Sequence, residues 1–236
     1  MRLEPAARSA IDGHVRLLIA WNAAINLTAI RDPAAIAVRH VVDSLSAVAI
    51  LRARGVERFV DLGSGGGFPG LPLATALDSD RVLLVDSVAK KVRFLATVVA
   101  AVGLAARVAA VAERAETLAV DRVDRARWPA VTARAVAPLA ELVELALPLL
   151  RPGGVLVAWK RGAVDDTQGL GGELSTARRA LDAIDPEGRI EVEPAPPGLA
   201  TIPDLAEHRL VVVERSRASI DAAWPRDPAG RNRAPW

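Results

Sequence analysis

The chain has 236 residues, 51% of them hydrophobic and 25% charged, a size and balance that let one soluble domain bury its own core without covalent staples. It contains no cysteine, which excludes disulfides, thiolate nucleophiles, Cys-based zinc sites and iron–sulfur clusters. The net charge is only +2, with the basic excess at the two ends: Met1–Arg58 holds eight Arg and five acids, and Arg215–Trp236 holds five Arg and two acids. Apolar runs break at Arg, Asp or Gly well before 18 residues, so neither a membrane span nor a signal peptide is expected and the cytoplasm is the expected location. His14, His40 and His208 lie far apart with no pair at ligand spacing, so no metal is expected.

Residues 1–55 read as a helical extension. Ile11, Val15, Leu18 and Trp21 fall at helical spacing within Glu4–Ile25. Asp32 and Pro33 then start a second helix as N-cap and first helical residue, running to Arg54 with Gly55 as its stop. From Arg58 onward, short apolar runs alternate with helix-prone stretches: Phe59–Leu62 before Pro69–Leu77, Arg81–Asp86 before Val88–Val102, and Arg107–Val111 before Ala112–Val120. Ala130–Ala135 precedes Pro138–Leu150, and Val155–Lys160, introduced by Pro152-Gly153-Gly154, precedes Glu173–Ile184. Such alternation predicts an α/β fold whose sheet is mostly parallel and covered by helices on both faces. Arg189–Val192 and Arg209–Glu214 have a Pro-rich connection and no crossover helix, which predicts an antiparallel pair at one edge. Residues 56–216 thus form the main domain. Residues 217–236 make a basic Pro/Arg tail, read either as a frayed terminus or as an arm for an anionic partner, with Trp224 and Trp236 free.

The first strand runs into Gly63-Ser64-Gly65-Gly66-Gly67-Phe68-Pro69-Gly70, five glycines in eight residues. Glycines here let the backbone turn sharply and approach a ligand at the carboxyl end of the sheet. Gly65, Gly67 and Gly70 also satisfy the G-x-G-x-x-G dinucleotide spacing, and Asp86, at the end of the second strand, suits a ribose diol in either reading. A P-loop is excluded, because no Gly-Lys-Ser/Thr follows.

Asp61-x-Gly63-x-Gly65-x-Gly67, with the acid inside the strand, resembles the first motif of class I S-adenosylmethionine-dependent methyltransferases, and Pro152-Gly153-Gly154 and the terminal strand pair resemble that superfamily too. The likeness narrows through Asn26–Pro33, Arg39-His40-Val41-Val42-Asp43-Ser44-Leu45, Gly63–Leu73, Asp86-Ser87-x-x-Lys90-Lys91, Arg114-Ala115-Glu116, Ala133–Leu139 and His208–Val213. Together these resemble the bacterial small-subunit ribosomal RNA guanine-N7 methyltransferases, also called the glucose-inhibited division protein B family. One departure is Trp159-Lys160-Arg161-Gly162, where the family more often reads Lys-Gly without the intervening Arg.

The resemblance implies a Rossmann-like class I methyltransferase with a seven-stranded sheet, S-adenosyl-L-methionine as cofactor, and 16S rRNA or the small ribosomal subunit as partner of a monomer. It also implies cofactor contacts from Gly63 and Phe68 in the loop, Asp86, Ser87 and Val88 at the ribose, Ala115 and Glu116 at the adenine, and Arg134 near the substrate entrance. No catalytic acid or base is expected, since guanine N7 carries a free lone pair. Pyrimidine C5 transfer would need a thiolate, and exocyclic-amine transfer usually shows Asn/Asp-Pro-Pro-aromatic where this chain reads Arg134-Ala135-Val136-Ala137-Pro138. The alternatives are an NAD-dependent oxidoreductase and a non-catalytic RNA-binding assembly factor. His40 and Asp43, at i,i+3, share a helix face, and Arg31, Arg39 and Lys90-Lys91 are candidate RNA or phosphate contacts.

Overall fold

The computed structural model describes residues 2–194 and 196–236. Met1, at the start of the 1–55 extension, and Ala195, in the Pro-rich connection, lie outside the described residues. Seven strands form one sheet in the order β3-β2-β1-β4-β5-β7-β6. They are β1 Arg58–Leu62, β2 Arg81–Asp86, β3 Val108–Ala112, β4 Trp128–Arg134, β5 Leu150–Arg161, β6 Arg189–Pro194 and β7 His208–Glu214. The first five are parallel, while β7 runs antiparallel to both β5 and β6.

Strand residues alternate between two apolar cores because successive side chains point to opposite faces. Phe59, Leu84, Val157 and Val212 pack on one face with α1 (Pro5–Ile25), α4 (Val48–Ala53), α5 (Gly70–Ala76) and α6 (Ala89–Ala101). Val60, Val85, Leu156 and Val211 pack on the other with α7 (Ala115–Val120), α8 (Leu139–Ala146) and α9 (Leu170–Ile184). With apolar residues wanted on both faces, the strands read as nearly continuous hydrophobic runs, which is why they are visible in the sequence.

Four expectations need correction. The second N-terminal helix is not uniform: α2 (Pro33–Ile36) leads into a π-helical segment, Ala37–Val42, then α3 (Asp43–Leu45) and α4. Its whole run, Pro33–Ala53, is long and apolar enough by length and composition to cross a membrane, although the apolar runs looked too short for that. In the fold it lies on the sheet with Ile36, Val48 and Leu51 buried in the core. Pro152-Gly153-Gly154 lies inside β5 rather than ahead of it, because Gly153 and Gly154 exchange backbone hydrogen bonds with Arg215. The tail is neither frayed nor free. Trp224 and Trp236 stack at 5.8 Å on the second core, and α10 (Pro228–Arg233) is capped by the Asp227 carboxylate.

Candidate functional site

A cavity of about 590 Å3 opens at the carboxyl ends of β1 and β4, lined by the glycine loop, the π segment and the start of β7. The loop is held from below. Asp61, fully buried, accepts hydrogen bonds from Thr132 Oγ1 at 2.6 Å and from the Gly70 amide at 3.2 Å. The pairing of Asp61 with Thr132 follows from the β1–β4 register. Burial pushes the Asp61 carboxyl up to about 6, opposed by the hydrogen bonds it accepts. Gly67 has φ +91°, and a Cβ there would stand 2.6 Å from Leu71 and 2.8 Å from His14 Nε2, so only glycine fits.

The three histidines, distant in sequence, converge here. Phe68 is sandwiched between His14 (centroids 4.5 Å) and His40 (4.8 Å), with the Arg134 guanidinium 5.6 Å from its ring centroid. His14 Nε2 lies 2.7 Å from the Gly66 carbonyl, which fixes the Nε2–H tautomer, and burial lowers its pKa to about 4. Arg134 donates to Asp43 Oδ2 at 2.8 Å and to His40 Nδ1 at 3.1 Å, so His40 is neutral and presents Nε2–H to Thr28 Oγ1 at 2.8 Å. Burial and the Arg134 charge lower its pKa to about 4. The second oxygen of Asp43 meets His208 Nδ1 at 2.6 Å. The side chains of the i,i+3 pair His40 and Asp43 are thus joined through Arg134, while the Asp43 amide donates to the His40 carbonyl. Ala135, just after Arg134, has φ +56°, a strained conformation for a residue with a Cβ and one that recurs at functional sites.

Of the expected cofactor contacts, Gly63, Phe68 and Arg134 line this cavity, as do His40, Asp43, Arg39 and Lys91 among the other candidates. Asp86 borders it indirectly: its Oδ2 accepts from the Gly65 amide at 3.0 Å and its Oδ1 from the Val88 amide at 2.9 Å. Ser87, Val88, Ala115 and Glu116 are not among its lining residues. Glu116 instead forms an ion pair with Arg231 of the tail. Arg39, a candidate RNA contact, is bound to Asp204 at 2.9 Å, and Lys91 lies 3.7 Å from Asp86. Sequence reasoning missed Thr28, Asp204 and the role of His208 as a partner of Asp43. None has a local signal, since each meets its partner from a different element.

A family model for rRNA small subunit methyltransferase G matches residues 8–175, more than half of the chain. The chain belongs to this family. It is 42% identical over 221 residues to the Ribosomal RNA small subunit methyltransferase G of Deinococcus deserti, covering 93% of this chain and 84% of that protein. To the protein of the same name from Geobacillus kaustophilus it is 34% identical over 234 residues, covering 99% and 92%. Among solved structures, it superposes on an O-methyltransferase from Bacillus cereus in complex with SAH at a TM-score of 0.59 and 18% identity, covering 86% of this chain and 91% of that one. The O-methyltransferase TomG from Streptomyces achromogenes, in complex with SAM, gives 0.55 at 19% identity, with 91% of each chain covered. At such identities these two show the shared fold.

Proposed function

We infer that the protein transfers the methyl group of S-adenosylmethionine to N7 of a guanine in small-subunit, 16S-type ribosomal RNA. One arrangement carries the reading: in a chain of this family, the glycine loop and the Asp86 carboxylate meet at the carboxyl ends of parallel strands beside a cavity large enough for a nucleoside-sized ligand. The antiparallel β7 separates this sheet from the all-parallel dinucleotide-binding type, which disfavours the oxidoreductase.

The residues fit the donor. Each oxygen of Asp86 accepts one backbone N–H, and a carboxylate offers about four acceptor positions, so capacity for two ribose hydroxyls remains. We assign Asp86, with Ser87 and Val88, to the ribose, Gly63 and Phe68 to the loop side of the cofactor, Ala115 and Glu116 to the adenine, and Arg134 to the end nearest the substrate. When bound, S-adenosylmethionine supplies an electrophilic methyl group on a sulfonium. Towards that cation the chain presents no bare positive charge at Arg134, whose guanidinium is matched by buried Asp43. Neutral His14 and His40 clamp Phe68, and this stack holds the loop while excluding water from one wall of the cavity. N7 attacks with its own lone pair, so positioning and desolvation supply the rate and no group need remove a proton first. The N-terminal 1–55 segment supplies His14, His40 and Asp43 and is read as an extension that completes the site of the 56–216 core. The substrate is the rRNA itself or the assembled small subunit, in the cytoplasm.

The test is transfer of labelled methyl from S-adenosylmethionine to small subunits from a strain lacking the protein, followed by mass mapping of the nucleoside. Label in 7-methylguanosine is expected, with Asp86→Ala reduced through weaker cofactor binding. No label, or label on another atom, rejects the assignment.

A further inference from the structure

At the pole of the sheet opposite the glycine loop lies a second cavity, of about 410 Å3, lined by Arg58, Arg81, Arg122 and Arg127 with Val123, Asp124 and Trp128. Arg58 and Arg81 are the first residues of β1 and β2, and Arg127 immediately precedes β4. Since these strands are parallel and five to seven residues long, the cavity stands roughly 15–20 Å from the loop. Among the described residues none of the four guanidiniums forms an ion pair. Their polar engagements among the described residues are weak: Arg58 donates to the Arg127 carbonyl at 3.3 Å, and Arg81 lies 5.7 Å from the centroid of Trp128. The single acid in the lining, Asp124, accepts from Trp128 Nε1 at 3.1 Å. Glu57 and Asp80 stand at the same pole without lining the cavity. The neighbouring Arg125 shows the contrast, because its guanidinium is taken up by the Ala119, Asp221 and Trp224 carbonyls and staples the tail.

Four unneutralised guanidiniums around one concavity repel one another unless an anion joins them, and their planar forks match phosphate oxygens. We propose that this cavity binds phosphate groups of an RNA backbone, as a second contact far from the methyl-transfer cavity. The inference rests on the RNA substrate proposed above, since only a partner large enough to reach both poles can use both. It also gives a chain of net charge +2 a local concentration of positive charge with which to hold a polyanion.

The test measures binding of a small-subunit rRNA transcript over a potassium chloride series to wild type, to Arg81→Gln/Arg122→Gln, and to Arg178→Gln/Arg179→Gln. The last removes equal charge from α9, away from this cavity. The first pair is expected to weaken binding about ten-fold and to reduce the slope of log K against log salt by about 1.5, as two lost phosphate contacts require. S-adenosylhomocysteine affinity should be unchanged in both, showing an intact fold. Equal loss in the two double variants, or no loss in the first, overturns the site. If millimolar pyrophosphate raises the Tm of wild type but not of Arg81→Gln/Arg122→Gln, while RNA affinity is the same in both, the cavity takes free phosphate and the RNA assignment falls. Wild type that binds and methylates RNA beside a fully competent variant rejects this site alone; wild type that binds no RNA rejects the substrate reading as well.

Discussion

His14 shows how one buried side chain links sequence to pH response. It is 1% exposed, its Nε2–H is used by Gly66, and its Nδ1 has no partner among the described residues, so a second proton would have nowhere to be solvated. With folded-state pKa values of about 4 for His14 and His40 and an ordinary value near 6.5 when unfolded, the unfolded chain binds protons that the folded one does not between pH 4 and 6.5. Stability therefore rises with pH across that window and is fully gained above it. Asp61 acts in the other direction: its folded carboxyl keeps its proton up to about pH 6, while the unfolded one releases it near 3.8, so this group loses stability as pH rises from about 4 to 6. Two imidazoles, one of them only half-buried, outweigh one carboxyl, and the net gain is on the order of 2–3 kcal/mol. Thermal unfolding should give a Tm about 5–10 °C higher at pH 7 than at pH 5, and His14→Gln should flatten that rise. A Tm that falls between the two pH values contradicts the arrangement.

At the scale of elements, the strands and the glycine loop were legible because their causes are local. Apolar runs of strand length, a glycine cluster after the first, and caps such as Asp32-Pro33 carry their own signal, and β2 begins and ends where the residues say it should. The π segment carries none, since its register comes from what His40 and Arg39 meet across the cavity. The turn that follows α1 depends on Asn22, which is buried at the helix end. Its Oδ1 accepts from the amides of Leu27 at 2.7 Å and Thr28 at 2.8 Å, and its Nδ2 donates to the Thr28 carbonyl at 2.9 Å. The same turn sets Thr28 against His40, so the end of one helix orients the side chain of the next. Asn22→Ala strands two amides and is expected to cost about 2–3 kcal/mol, read as a lower urea midpoint with an unchanged m-value. A loss under about 0.5 kcal/mol would mean water replaces the side chain there.

Over the whole molecule, the tail is where sequence reasoning failed most, for a physical reason: the carboxylates that hold it lie some 80 to 115 positions earlier in the chain. Glu144, fully buried on α8, accepts from Arg226 Nε at 3.0 Å, Arg226 Nη2 at 2.6 Å and Trp236 Nε1 at 2.7 Å. The Arg226 guanidinium sits 5.5 Å from the ring centroid of Trp224 and 4.5 Å from that of Trp236, which makes the tail a clasp over the second core. Arg231 extends it to Glu116 on α7, tying the C-terminal segment to a residue assigned above to the adenine. Two of the charges that count as a basic arm in the sequence, Arg226 and Arg231, are therefore neutralised within the fold. A buried ion pair need not be stabilising overall, yet removing one partner leaves the other desolvated and alone. Arg226→Ala is accordingly expected to cost about 3–5 kcal/mol. Adding Glu144→Leu should return at least about 1 kcal/mol of that loss, because the stranded carboxylate goes with it. Urea denaturation of the two single variants and the double variant measures the coupling. Strictly additive losses would show that Glu144 finds another partner when Arg226 is gone, and that the clasp is held by the tryptophans alone.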